Sequence, residues 1–192
     1  AVFMRMVEAA DVVVENFRPD VKDRLGIAYD DLAKVNPRII LASISGFGQD
    51  GPYAKRAGFD QIAQGMGGLM AVTGDPRIGP MRAGSAVADL SSGLFAVIGI
   101  LVALQERAQS GKGQWVQSSL LESQISLMDF QAARYLVEDE VPESSGNDHP
   151  YVTPMGVVAT QDGHMNLGVG SDKQWRALCD LIGHSDWGTS PE

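Results

Sequence analysis

Two short, apolar, β-branched runs constrain this chain more than any other feature. "DVVVEN" (11–16) and "RIILASIS" (38–45) each read as a strand buried on both faces. Between them "DVKDRLGIAYDDLAKVN" is polar, with apolar residues at Leu25, Tyr29 and Leu32, which predicts one or two short helices closed by the turn "NPR". Parallel neighbours need a crossover of about this length, so strand, helix, strand predicts an α/β fold: a parallel sheet with flanking helices.

The rest of the chain extends the same plan. Phe3, Met6, Val7 and Ala10 give a leading helix. "QIAQGMGGLMAVTG" has helical character loosened by Gly65, Gly67 and Gly68. The apolar run Leu90–Leu104 predicts a helix that stops at "ERAQSGKGQ". "WVQSSL" reads as a further strand and "LESQISLMDFQAARYLV" as one long helix. "EDEVPESSGNDHP" has the composition of a linker, which divides the chain into 1–142, part of a large domain, and 143–192, the linker and the start of a smaller α+β domain. In the latter, "MGVVATQDGHMNLGVG" predicts a hairpin turning at Asp162–Gly163, followed by an amphipathic helix capped by Ser171 or Asp172.

Composition excludes several functions. A net charge of -9 argues against a nucleic-acid or anionic-membrane partner, because either requires a basic face. No run reaches the roughly 18 apolar residues of a spanning helix, so no membrane segment is expected. The single cysteine, Cys179, has no internal partner, as expected of a reducing cytoplasm (or, in a eukaryote, the mitochondrial matrix). The chain begins and ends within its patterns, which reads as an internal piece of a longer protein.

Familiar catalytic signatures are missing. "SGKGQ" lacks the first glycine and the Ser/Thr of a Walker loop, and "LGVGSDK" lacks the third glycine of a dinucleotide fingerprint. His149, His164 and His184 share no ligand spacing with each other or with Cys179, so no metal is expected. What remains is Asp89 at the mouth of the apolar helix, the glycine loop around 46–58, and the basic cluster Arg18, Lys22, Arg24. Asp89 has two readings, a plain helix cap or a nucleophile, and the basic cluster is either a solvated face or an anion site.

"ADVVVENFRPD", "LGIAYDDLAKVNPRIILASISGFGQDGPYAKRAGFD", "AVADLSSGLFAVIGILVALQERAQSGKGQWVQSSLLES" and "TQDGHMNLGVGSDKQW" together resemble the class III coenzyme A transferases. That group includes formyl-CoA transferase, carnitine CoA-transferase and the alpha-methylacyl-CoA racemases. The resemblance implies a Rossmann-like large domain in an interlocked homodimer, with CoA and acyl-CoA as substrates and no tightly bound cofactor. It implies that Asp89 is the catalytic aspartate and that Asn16, Phe17 and Arg18 lie along the CoA. Arg24 then reaches the CoA phosphates, held in place ahead of a buried Leu25. Ala57, Gly58, Phe59 and Asp60 line the pantetheine and thioester end. Some members carry lysine where Ala57 stands, and Arg56 is the substitute here. Asp60 either orients water or substrate, or binds loop amides.

The racemases place a histidine base where this chain has Phe59, so the aromatic points to the transferase branch. "ESSGNDHP" has no glycine-rich lid of the formyl-CoA transferase kind, which points to relatives using dicarboxylic donors such as succinyl-CoA. The competing readings are an acyl-CoA racemase and a catalytically incomplete CoA-binding piece. In the transferase reading the helix-start amides keep Asp89 ionised, and amides near Gly84 or in the Gly46–Gly51 loop hold oxyanions.

Overall fold

The computed structural model describes residues 2–189. It is a mixed α/β structure whose close neighbours in space fall into two units. One unit runs to Val72 and resumes over Met81–Pro142, and the other comprises Thr73–Pro80 and the residues from Glu143 onward. Thr73–Pro80, which lies within the expected 1–142 domain, therefore groups with the second unit.

In the first unit, α1 (Val2–Ala9) leads into β1 (Val12–Glu15). Next come α2 (Pro19–Leu25), α3 (Tyr29–Val35) and β2 (Ile40–Ser45). Pro19 opens α2 at a position where its missing N–H costs nothing, and Gly26 closes it with φ of 65°. After a loop come α4 (Asp60–Met66), α5 (Leu69–Val72) and the long α6 (Val87–Ser110). Gly68, at φ of 87°, separates α4 from α5. The unit closes with β3 (Trp115–Ser119), α7 (Leu120–Ser126) and α8 (Asp129–Glu138).

The three strands form a parallel sheet in the order β1-β2-β3. The central strand β2 is sandwiched. On one face Leu41 joins Val7, Leu32 and Ile39 in a fully buried cluster, packed by Met4, Ala10, Val13, Ile27 and Tyr29. On the other face Ile44 packs against Ala63, Ala88 and Leu120. β1, by contrast, leaves Val14 58% exposed, so the expectation of a strand buried on both faces fails at this sheet edge.

α6 differs from expectation in two ways. It is long and apolar enough to cross a membrane by length and composition, contrary to the reading that no stretch qualifies, because the helix extends back through Asp89 to Val87. Nor is it buried on every side. It lies on β2 and β3 through small residues (Ala88, Ser92, Ala96 and Ala103), and a Cβ on Gly99 would come within 2.6 Å of a Val116 methyl. Its large residues Leu90, Leu94, Ile98, Leu101 and Val102 face outward. The buried Arg107 fixes its far end, donating to Arg38 O at 2.8 Å and pairing with Asp11 at 2.8 Å.

The long helix expected over 121–137 is two helices. α7 ends at Ser126, capped by Leu127, and Asp129 at the start of α8 adopts a φ of 47°, a conformation no helix interior contains. The second unit holds the antiparallel hairpin of β4 (Met155–Ala159) and β5 (His164–Gly168), then α9 (Asp172–Leu181) and a 3-10 turn at Trp187–Thr189. Thr160 N–H donates to Gly163 O across the hairpin turn, and the Ser171 hydroxyl caps α9 by accepting from Gln174 N–H.

Candidate active site

Ligands of parallel α/β sheets bind beyond the carboxyl ends of the strands, where loops diverge. In this chain β1 ends at Glu15, β2 at Ser45 and β3 at Ser119. A cleft of about 320 Å³ lies beyond those ends, lined by Asn16, Ile44, Ser45, Gly46, Gly58, Asp89, Ser92 and Leu120. Four residues singled out from sequence, Asn16, Gly46, Gly58 and Asp89, meet there.

The cleft wall depends on two glycines. Gly46 leaves β2 and Gly58 precedes α4, and their backbones approach so closely that a Cβ on either would overlap the other's Cα. Leu121 N–H donates to Gly46 O at 3.2 Å, which ties the start of α7 to the same point.

Asp89 is not a helix cap. The cap position of α6 is Ala86, which offers no side-chain acceptor, and Asp89 lies within the first turn. The capping oxygen comes from Asp60: its Oδ1 accepts from Ala88 N–H at 2.8 Å and from Asp89 N–H at 3.4 Å. Of the two readings of Asp60, the one that binds amides is the one this geometry displays. Gln64, fully buried one turn along α4, completes the arrangement. Its amide donates to Asp60 Oδ2 at 2.6 Å and to Ser85 O at 3.3 Å, and its carbonyl accepts from Ala83 N–H at 2.9 Å. The stretch just before α6 and the helix's first turn are thereby both held to α4.

This overturns one electrostatic expectation. The amides that were to stabilise the Asp89 carboxylate are committed to Asp60. Partial loss of water on the cleft side, and then the Asp60 charge, raise the Asp89 pKa above its ordinary 3.8. A carboxylate that is costlier to ionise is also more basic and more nucleophilic once ionised.

The remaining candidates do not line the cleft. Phe17 is 43% and Phe59 69% exposed, and Ala57 is exposed too. Arg56 stacks its guanidinium over Tyr53 at 4.1 Å from the ring centroid. Arg18 and Arg24 both approach Asp20, at 3.9 and 3.6 Å. Arg24 is not held in place by burial, since its side chain and Leu25 are both exposed. Lys22 departs furthest from the solvated-face reading. It is only 3% exposed, enclosed with Glu15 at the sheet end.

Sequence reasoning missed Gln64 and Ser92. Ser92 lines the cleft, its hydroxyl donates to Asp89 O at 2.8 Å, and its own carbonyl accepts from the Ser118 hydroxyl at 3.0 Å. The available signal was spacing: Gln64 lies one helical turn after Asp60, and Ser92 three residues after Asp89.

The profile of CoA-transferase family III matches residues 1–192. The chain is 45% identical over 183 residues to a succinate–glutarate CoA-transferase of Agrobacterium fabrum, covering 95% of this chain and 46% of that protein. It is 42% identical to an acetyl-CoA:oxalate CoA-transferase of Acetobacter aceti, covering 100% of this chain and 49% of the relative. A CAIB/BAIF family protein from Brucella suis superposes with a TM-score of 0.86 at 40% identity, over 98% of this chain and 50% of that structure. The chain thus spans about half the length of the relatives it matches. With a whole-chain profile match and a shared fold, this chain belongs to CoA-transferase family III.

Proposed function

We propose that the protein containing this chain moves coenzyme A from a donor acyl-CoA to an acceptor carboxylic acid, with Asp89 carrying the transferred groups. The observation that carries this reading is the placement of a single carboxylate, Asp89, in the strand-end cleft of a family III chain.

The chemistry follows from what a transferase must avoid. Breaking a thioester without losing its acyl group to water requires covalent relay through the enzyme. An Asp89 oxygen attacks the thioester carbonyl, the C–S bond breaks, and CoA leaves as thiolate with an aspartyl mixed anhydride behind it. The thiolate attacks the aspartyl carbonyl of that anhydride, which forms an aspartyl-CoA thioester and releases the donor acid as carboxylate. The acceptor carboxylate attacks this thioester, giving a second anhydride and thiolate. Thiolate attack on the acceptor's acyl carbon then forms the new acyl-CoA and restores the Asp89 carboxylate. Every step develops negative charge on a carbonyl oxygen, which suits a cleft walled by loop backbone at Gly46 and Gly58.

Asn16, Phe17 and Arg18 follow the CoA in this reading, Arg24 meets its phosphates, and Ala57–Asp60 border the thioester. An exposed Arg24 is free to exchange its partner Asp20 for a phosphate, which a guanidinium meets with two parallel hydrogen bonds. Dicarboxylates are the preferred acids, with succinyl-CoA as donor, supported by relatives named for succinate and glutarate and for D-citramalate. The full protein is a homodimer.

The test traps the relay. Full-length protein is incubated with succinyl-CoA, quenched with hydroxylamine and digested for mass spectrometry. An aspartyl hydroxamate at Asp89 is the expected result. Modification at another residue, or none with any donor of a panel, refutes the mechanism.

A further inference from the structure

Beneath the Asn16–Arg18 turn lies a buried ion pair that the transfer chemistry does not use. The Glu15 carboxylate folds back over its own turn, with Oε2 accepting from Phe17 N–H at 2.7 Å. Its other oxygen, Oε1, is buried without a hydrogen-bond partner and lies 4.0 Å from the Lys22 ammonium. That ammonium donates to Gln49 Oε1 and to Pro19 O, and sits 5.1 Å over the centroid of the Trp115 ring. Gln49 belongs to the glycine loop leaving β2. Its amide donates to the Ser45 hydroxyl, which donates to Gly48 O at 2.9 Å. Trp115 is fixed in turn by its indole N–H on Ser43 Oγ at 2.9 Å.

Lys22 therefore joins two segments far apart in sequence. One is the Asn16–Arg18 turn, whose first residue lines the cleft, and the other is the Gly46–Gly51 loop, whose first residue also lines it. With its head group enclosed, Lys22 cannot reach a CoA phosphate. Nor does stability explain the pair, because apolar side chains would fill the same volume without the cost of desolvating two charges. What the ammonium supplies is geometry: several donors on one point, each aimed at a different segment.

We infer that Lys22 is a positioning residue that sets the separation of the two loops framing the Asp89 cleft. The inference rests on the transferase reading above for its kinetic consequence, and on the bonding network alone for its structural one.

The test uses the full-length protein with succinyl-CoA as donor and glutarate as acceptor. Lys22→Met removes the tie while keeping side-chain length. The expected result is a rise in KM for succinyl-CoA on the order of ten- to a hundredfold, the range by which remote misplacement degrades a site. A merely less stable protein behaves otherwise: it loses active fraction, lowering apparent kcat at unchanged KM. Gln49→Leu cuts the tie with the Glu15–Lys22 pair intact, and is expected to raise KM in the same direction with melting temperature close to wild type. It decides the question if Lys22→Met does not fold. The Glu15→Gln/Lys22→Met double variant removes both charges and is expected to regain thermal stability without regaining wild-type KM. Recovery of KM in that variant reduces Lys22 to a counter-charge and overturns the proposal. Hydrogen exchange separates the two readings. If wild-type protein moves CoA between no donor and acceptor of a panel, the transferase reading falls. The tie is then judged on whether amides of Asn16–Arg18 and Gly46–Gly51 exchange faster in Gln49→Leu, and unchanged exchange overturns it.

Discussion

Asp89 combines two demands that oppose each other. Its pKa is raised above 3.8 by desolvation and by Asp60, so its ionised form is disfavoured in the fold relative to the unfolded chain. Linkage then fixes the sign. The unfolded carboxyl ionises first as pH rises, so this group's stabilising contribution is whole below 3.8 and is lost as pH climbs through the folded pKa. Asp89→Asn is therefore expected to melt higher than wild type at neutral pH, an advantage that disappears below 3.8, while turnover is abolished and CoA binding stays within a few-fold. Thermal melts across the pH range and isothermal titration with CoA check both halves. Asp60→Asn keeps an acceptor for the Ala88 amide but removes the charge, so the acid limb of kcat/KM is expected to move to lower pH; a limb that stays in place dissociates Asp60 from Asp89. Phe59 carries a separate prediction. A phenyl ring accepts no proton, so deuterium wash-in at the alpha carbon of a branched acyl-CoA should remain at background. Rapid exchange would assign this chain to the racemases.

The same Asp60 has an element-level role, since it supplies the cap that α6 lacks in its own sequence. Asp60→Ala leaves the Ala88 amide without its acceptor and is expected to cost about 0.5–2 kcal/mol, the usual loss on deleting a helix cap, measurable by urea unfolding. Elements whose signals are local were legible from sequence. β2, the α2–α3 pair and the β4–β5 hairpin follow from apolar patterning, a closing Asn–Pro–Arg turn and an Asp–Gly turn. The break between α7 and α8 was not legible, because "LMDF" contains neither proline nor glycine and its apolar spacing runs on unbroken. The borrowed cap was equally invisible, since 28 residues separate Asp60 from Ala88 and local reading assigns capping to the nearest carboxylate. Lys22 was misread for a related reason. In sequence it sits among charges, and only the loop after β2 and Trp115 of β3 enclose it.

Viewed whole, the molecule leaves an apolar ridge along α6, with Leu90, Leu94, Ile98, Leu101 and Val102 each more than half exposed. Contiguous apolar surface of this kind is uncommon on soluble monomers. A chain of these 192 residues should accordingly bind an environment-sensitive hydrophobic dye, and Leu94→Ser with Ile98→Ser should remove most of the signal without changing the circular dichroism of the fold. Dye fluorescence equal to that of a compact control protein would show the ridge to be covered. The sheet plan was readable because β-branched runs and crossover lengths admit few arrangements. The outward face of α6 was not, because a continuous apolar run looks the same whichever side meets the sheet.

The touching backbones of Gly46 and Gly58 bear on how this cleft can be altered. Gly58 stands two residues before Asp60, and Asp60 holds the first turn that presents Asp89. The placement of Asp89 is therefore registered by main chain against main chain, a contact no side-chain exchange can adjust by degrees. Variation at those two positions is all or nothing. Ala57 and Phe59, by contrast, flank this fixed junction with exposed side chains and can change size without moving it.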